Sequence, residues 1–283
     1  MPKSETLRLY GGDVEMVFNP KGHLYLVNNR VVPGVTSATK GMMNANALCG
    51  WSVNLCRGVY KERIKPGVAY DEAYLAETYR LSWAHQRKSG TAALIGNLVH
   101  EWINKKCRGI PVEDPVNEQA LAATRSFARW AKEVRFKPRF TERMVFSRKY
   151  GYAGTVDIFG EVEGIDGVTD IKIRNKIYTD MELQVTAYLQ AIQEELHDFR
   201  HDGCTGRLIL RIDRETGDIE TRRLDPESFE SDLTTFVHHL EGHRAGMIKE
   251  DQSRGGEGFR TYIPDPQALA MPMSTAYSSD RVG

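Results

Sequence analysis

The residues of this chain that could do chemistry concentrate between positions 100 and 190. Asp170-Ile171-Lys172 lies in the run GVTDIKI, whose alternation predicts a strand. Residues two apart on a strand face the same side, about 6.5 Å apart along its axis. This strand therefore presents a carboxylate and an ammonium to one space and turns Ile171 and Ile173 to the other face. Just upstream, GYAGTVDIFG reads as an apolar strand interrupted by one acid, Asp157. Alone, Asp157 is equally an edge or turn-capping carboxylate. The intervening EVEGIDG, however, predicts a hairpin that sets Asp157 beside Asp170. Two carboxylates so close repel unless a cation sits between them, and a sparse oxygen set suits Mg²⁺ or Mn²⁺.

Other polar residues fall where they could serve such a centre. His100, in GNLVHE, lies on a predicted helix one turn after Gly96, which would allow a close approach to that face. Gln184 and Tyr188 are four apart on a later helix, on a face distinct from its apolar stripe, and Tyr188 could stack on a base. His197/His201 and His239/His243 also have helical metal spacing but lack apolar framing, and are expected to be solvated surface. The four cysteines, Cys49, Cys56, Cys107 and Cys204, form no CxxC pair. On a helix Cys49 and Cys56 would be separated by about 10 Å of rise, too far to share an ion.

The elements that must position these residues follow from periodicity. VEMVF and HLYLV alternate, with Asn28-Asn29 as a tight turn before VVPGVT. Positions 44 to 106 read as helices broken at Lys65-Pro66-Gly67 and Ser89-Gly90. Ala120, Ala123, Phe127, Trp130 and Val134 mark another helix. Three strand candidates follow (TERMVFS, YAGTVDIFG, GVTDIKI). After them come a helix striped by Val185, Leu189, Ile192 and Leu196, a hairpin from GRLILRID to DIETRRL, and a helix over about 226 to 249. Past Glu250 the composition suggests a mobile tail.

The chain has 283 residues, 41% of them hydrophobic, and zero formal net charge. No apolar run is long enough to span a bilayer and the N-terminus resembles no secretory signal, so a soluble, cytoplasmic protein is expected. The charge is unevenly spread. Between 120 and 150 nine basic residues (Arg125, Arg129, Lys132, Arg135, Lys137, Arg139, Arg143, Arg148, Lys149) face two acids, Glu133 and Glu142. Positions 213 to 232 are predominantly acidic. A basic face opposed to an acidic one could orient a polyanion; a solvated helix with unrelated loops would give the same sequence.

In order and spacing, GxxxH, Glu142, GTVD, DIK and QxxxY resemble the PD-(D/E)xK nucleases of the RecB-like branch. GHLYLVNNRVVPGVTSATKGMM is similar to the short β segment ending in P-x-V-T that precedes the core in phage exonucleases and in mitochondrial genome maintenance exonucleases. The resemblance covers about residues 20 to 195. It implies an α/β fold with a restriction-endonuclease-like core, a mixed central sheet flanked by helices. The N-terminal β segment would occupy 1–40, the core with its helical N-terminal part 41–250, and a flexible tail 251–283. Iron–sulfur members of the branch carry a cysteine trio after the core; only Cys204 lies there, so no cluster is expected.

The same resemblance assigns roles. His100, Asp157, Asp170 and the Ile171 carbonyl would bind Mg²⁺ or Mn²⁺. Lys172, its pKa lowered from ~10.4 by burial and the neighbouring cation, would position and deprotonate the attacking water. Glu142 would join a second metal shell or hold Lys172. Gln184 and Tyr188 would contact DNA or the metal's water shell, and Arg174, Lys176, Arg125 and Arg129 would hold phosphates. The expected activity is a DNA exonuclease in phage-type recombination, repair or replication, with tail residues Phe259, Tyr262, Met271, Met273 and Tyr277 docking a single-strand-binding or annealing protein. The alternatives are a structure-specific or restriction-like endonuclease and a catalytically silent DNA-binding accessory protein.

Overall fold

The computed structural model describes residues 5–40, 45–82, 84–197, 204–253 and 260–264. It is a mixed α/β protein with two sheets. The first is an antiparallel meander of β1 (Glu5–Leu9), β2 (Val14–Asn19), β3 (Leu24–Val27) and β4 (Arg30–Val32). Asn28 and Asn29 both have positive φ, 49° and 59°, as a two-residue hairpin turn requires. β1 has no counterpart in the predicted elements. VVPGVT also differs from expectation: only Val31 and Val32 are strand, and Val35 opens the helix α1 (Val35–Lys40).

Three helices follow, α2 (Ala45–Arg63), α3 (Glu72–Ser82) and α4 (Ala84–Cys107). The break expected at Ser89-Gly90 is absent, since α4 runs through it. After α5 (Glu118–Glu133) come β5 (Lys137–Ser147), β6 (Tyr152–Val162) and β7 (Ile165–Ile173), then α6 (Thr179–His197), β8 (Gly206–Ile212), β9 (Ile219–Arg223) and α7 (Phe229–Ser253). The second sheet has the order β5-β6-β7-β8-β9, antiparallel except for β7 and β8, which α6 connects in parallel.

Buried side chains divide this sheet's two faces. Val168, Phe159 and Ile209 pack with α1, α6 and α7 through residues such as Val35, Leu189 and Phe236. Ile158, Ile171, Ile173 and Leu210 pack with Val99 and Ile103 of α4 and Phe127 of α5. The first sheet closes over Met144, Phe146 and Ala153 of β5 and β6. The expected tail boundary at 251 falls inside α7, and residues 260–264 are packed rather than loose. Val31 N–H donates to Arg260 O and Tyr262 N–H to Val31 O (both 2.8 Å), and Tyr262 stands edge-on to Phe146. The rest of the tail, including Phe259, Met271, Met273 and Tyr277, lies outside the described residues, as does His201. No helix among the described residues is long and apolar enough to cross a membrane.

Candidate metal centre

Strand register puts three acids in one row. On β5 and β6, Thr141 pairs with Ile158 and Arg143 with Val156, so Glu142 stands opposite Asp157. The β6–β7 ladder ends at Ile158–Thr169, so Asp157 and Asp170 oppose each other just where the strands part. Asp157 bridges that opening by accepting the Ile171 N–H at Oδ2 (2.8 Å). Glu142 has φ +49°, a left-handed backbone that costs a side-chain-bearing residue on the order of 1 kcal/mol and clusters at functional sites.

α4 completes the group. Ile95, Val99, Trp102 and Ile103 bury one stripe of this helix, which leaves His100 at the sheet opening. Its Nδ1 lies 3.7 Å from Glu142 Oε1 and 3.7 Å from Asp157 Oδ1. One turn on, Asn104 accepts a hydrogen bond from Thr141, next to Glu142, and so ties α4 to β5. Burial alone would lower the His100 pKa, but the charges of Asp157 and Glu142 outweigh it and raise it to about 9.

Asp170 and Lys172 share a strand face, as the spacing predicts. Lys172 Nζ is 2.8 Å from Asp170 Oδ1 and 2.6 Å from Oδ2. Oδ2, despite that proximity, receives no well-directed hydrogen bond among the described residues. Burial raises the Asp170 pKa to about 6; Lys172 opposes that shift and Asp157 adds to it. For Lys172 burial acts downward, but Asp170 and Asp157 prevail and the pKa is raised. Beside these two carboxylates Lys172 is held as an ammonium; the fall expected from the sequence depends also on a neighbouring cation.

His100, Glu142 and Asp157 offer one imidazole nitrogen and two carboxylate oxygens within 4.8 Å of one another. Neighbouring ligands of an octahedral ion bound at about 2.1 Å lie about 3 Å apart, so sub-ångström shifts would close this set round a divalent cation. The spare lone pair of Asp170 Oδ2 lies on the same row. The residues present thus fit a cation with mixed oxygen and nitrogen ligands; Glu142 lies in this group with His100 and Asp157, while Asp170 is turned to Lys172.

Gln184 and Tyr188 are buried, at 4% and 5% exposure. Burial raises the Tyr188 pKa, and the charges of Asp170 and Asp157 raise it further, so its hydroxyl is turned to the acidic row. Gln184 donates to Thr39 of α1 (3.2 Å). The Tyr188 ring covers Gly154, the glycine of GTVD, so closely that a Cβ there would stand 2.5 Å from Cε1. Both hold α1 against the sheet. Arg174 and Lys176 are exposed just beyond β7. Arg125 and Arg129 are exposed on α5, which packs mainly on α4 and also on β8 and β9. The basic run is not one face, because remote acids neutralise it in part: Lys137 pairs with Glu161, Arg139 with Asp166, Arg143 with Glu195 and Arg148 with Asp13.

Sequence reasoning missed Tyr25. Its hydroxyl lies 3.0 Å from Thr155 Oγ1, two residues before Asp157. Burial raises its pKa, and Glu142 and Asp157 raise it further. No protein-family model matches the chain, and no curated protein matches it.

Proposed function

We propose that this chain is a metal-dependent deoxyribonuclease of the PD-(D/E)xK type, and an exonuclease. The observation that carries the reading is the cross-strand row Glu142–Asp157–Asp170 with His100 over one end and Lys172 on the other. Three adjacent strands that bring three acids together beside a half-buried lysine and a helical histidine have no packing rationale, since carboxylates in a row repel one another. The β7–α6–β8 crossover beside this row agrees with a restriction-endonuclease-like core.

His100, Glu142 and Asp157 would hold Mg²⁺ or Mn²⁺, and an imidazole ligand favours Mn²⁺. The bound cation supplies positive charge to a phosphate oxygen and acidifies a water. Lys172, kept protonated by Asp170, would donate a hydrogen bond to a nonbridging oxygen and offset charge developing on phosphorus. Asp157, fixed by the Ile171 N–H, holds the orientation of the row. Arg174 and Lys176, exposed at the end of β7, give phosphate contacts beside Lys172. The exonuclease choice rests on the P-x-V-T segment, which here forms the turn into α1 beside the catalytic strands. The setting would be intracellular DNA recombination, repair or replication.

Incubation with linear and closed circular DNA in Mg²⁺ or Mn²⁺ separates the readings. Degradation of linear DNA alone supports the exonuclease, nicking of circles supports an endonuclease, and intact DNA in both metals refutes hydrolysis.

A further inference from the structure

The β2–β3 hairpin carries a line of aromatic rings that runs from the metal centre to solvent. Phe18 and Tyr25 are direct cross-strand partners with ring centroids 4.9 Å apart. His23 stands edge-on to both, at 5.2 Å and 6.1 Å. Tyr25 is buried, Phe18 half-buried and His23 exposed. The inner end reaches the site, because Tyr25 bonds to Thr155, which shares a strand face with Asp157.

The outer end is built differently from a core contact. His23 has φ +52°, a left-handed backbone, and its ring remains in solvent. Lys21, also exposed, sits in the same turn, which its amide closes by donating to Asn19 Oδ1 (3.0 Å). An exposed ring with a lysine beside it is the pair of groups that single-stranded nucleic acid recognition uses, one for a base face and one for a phosphate.

We propose that His23 and Phe18, with Lys21, form a subsite that stacks an unpaired nucleobase of the strand whose phosphate lies at the His100–Glu142–Asp157 centre. This rests on the nuclease reading above. The hairpin then fixes the spacing between the stacked base and the phosphate that is cut. Stacking is tolerant of base identity, so the subsite selects an unstacked base and not a sequence.

The test uses the full chain, Ca²⁺ to permit binding without turnover, and short DNA strands carrying 2-aminopurine at successive positions from one end. Its emission falls on stacking. A parallel reaction in Mg²⁺ or Mn²⁺ records cleavage of unlabelled DNA. One position should be quenched on binding; His23→Ala should restore its emission and weaken binding about fivefold, while His23→Tyr keeps the quenching. His23 is exposed, so an unchanged melting curve will show that the Ala variant is folded. If the protein binds and cleaves DNA but no position is quenched, or His23→Ala leaves the quenching intact, the subsite is wrong and the nuclease stands. If it neither binds nor cleaves DNA, the nuclease reading fails and the subsite with it.

Discussion

Lys172 closes on both oxygens of the Asp170 carboxylate, two residues back along the same face of β7, and keeps its proton there. Lys172→Ala would therefore remove a proton-bearing group from the site and leave a buried carboxylate without its counter-ion. Cleavage should fall at least about a hundredfold, the loss typical of a group that stabilises transition-state charge. DNA affinity, spread over many phosphate contacts, should change little. The variant should also lose about 3 kcal/mol of stability, much of it recovered in Lys172→Ala/Asp170→Asn. Single-turnover rates and urea unfolding of the wild type and the two variants read both effects; wild-type turnover in Lys172→Ala would remove the lysine from the mechanism.

Gly154 and Tyr188 form one unit, because the ring occupies the space a Cβ at 154 would need. Gly154→Ala should cost about 1–3 kcal/mol in the wild-type background. In a Tyr188→Ala background the same change should cost clearly less, the remaining close approach being Val35 Cγ2 at 3.2 Å. Equal costs in the two backgrounds, measured by denaturant unfolding, would show that the ring does not set the requirement for glycine.

That pair marks the boundary of what the sequence reveals. The hairpin between Asp157 and Asp170, the shared face of Asp170 and Lys172, and most elements after Glu118 follow from local period and spacing, and the structure has them. The burial of Gln184 and Tyr188 does not, because it depends on α1, some 145 positions upstream, settling on that face of α6. Part of the basic run is paired with acids as remote as Asp13 and Glu195. Tyr25 reaches Thr155 across 130 positions, and residues 260–264 dock through backbone hydrogen bonds that leave no trace in side-chain pattern.

The docked segment has a measurable contribution. A chain ending after Ser253 should be less stable than one ending after Pro264 by about 2 kcal/mol, from the lost Val31 backbone bonds and the Tyr262–Phe146 contact. Indistinguishable melting curves for the two truncations would mean that the segment contributes nothing.

Glu194 gives a pH signature away from the metal centre. Ser147 Oγ, Gln190 Nε2 and Lys149 N donate to its carboxylate, yet burial raises its pKa above 4.5. A carboxylate raised in the folded state binds its proton more tightly there than when unfolded. Its contribution to stability is thus fully present below pH 4.5 and is lost as pH rises through the folded value. Glu194→Gln removes that loss, so stability measured by urea unfolding should fall less between acid and neutral pH than in the wild type. Parallel pH profiles would contradict the assignment.

In the proposed nuclease, His100, Glu142 and Asp157 hold the cation on which phosphodiester hydrolysis depends. The most direct measurement is the rate of linear DNA degradation as Mn²⁺ is titrated into metal-free wild type, Asp157→Asn and Glu142→Gln. The wild-type rate should rise from zero and saturate. Asp157→Asn should stay at least about a hundredfold lower at every concentration, and Glu142→Gln should require about tenfold more Mn²⁺ to reach its own plateau. Degradation that persists in chelator, or variants that follow the wild-type curve, would contradict the account.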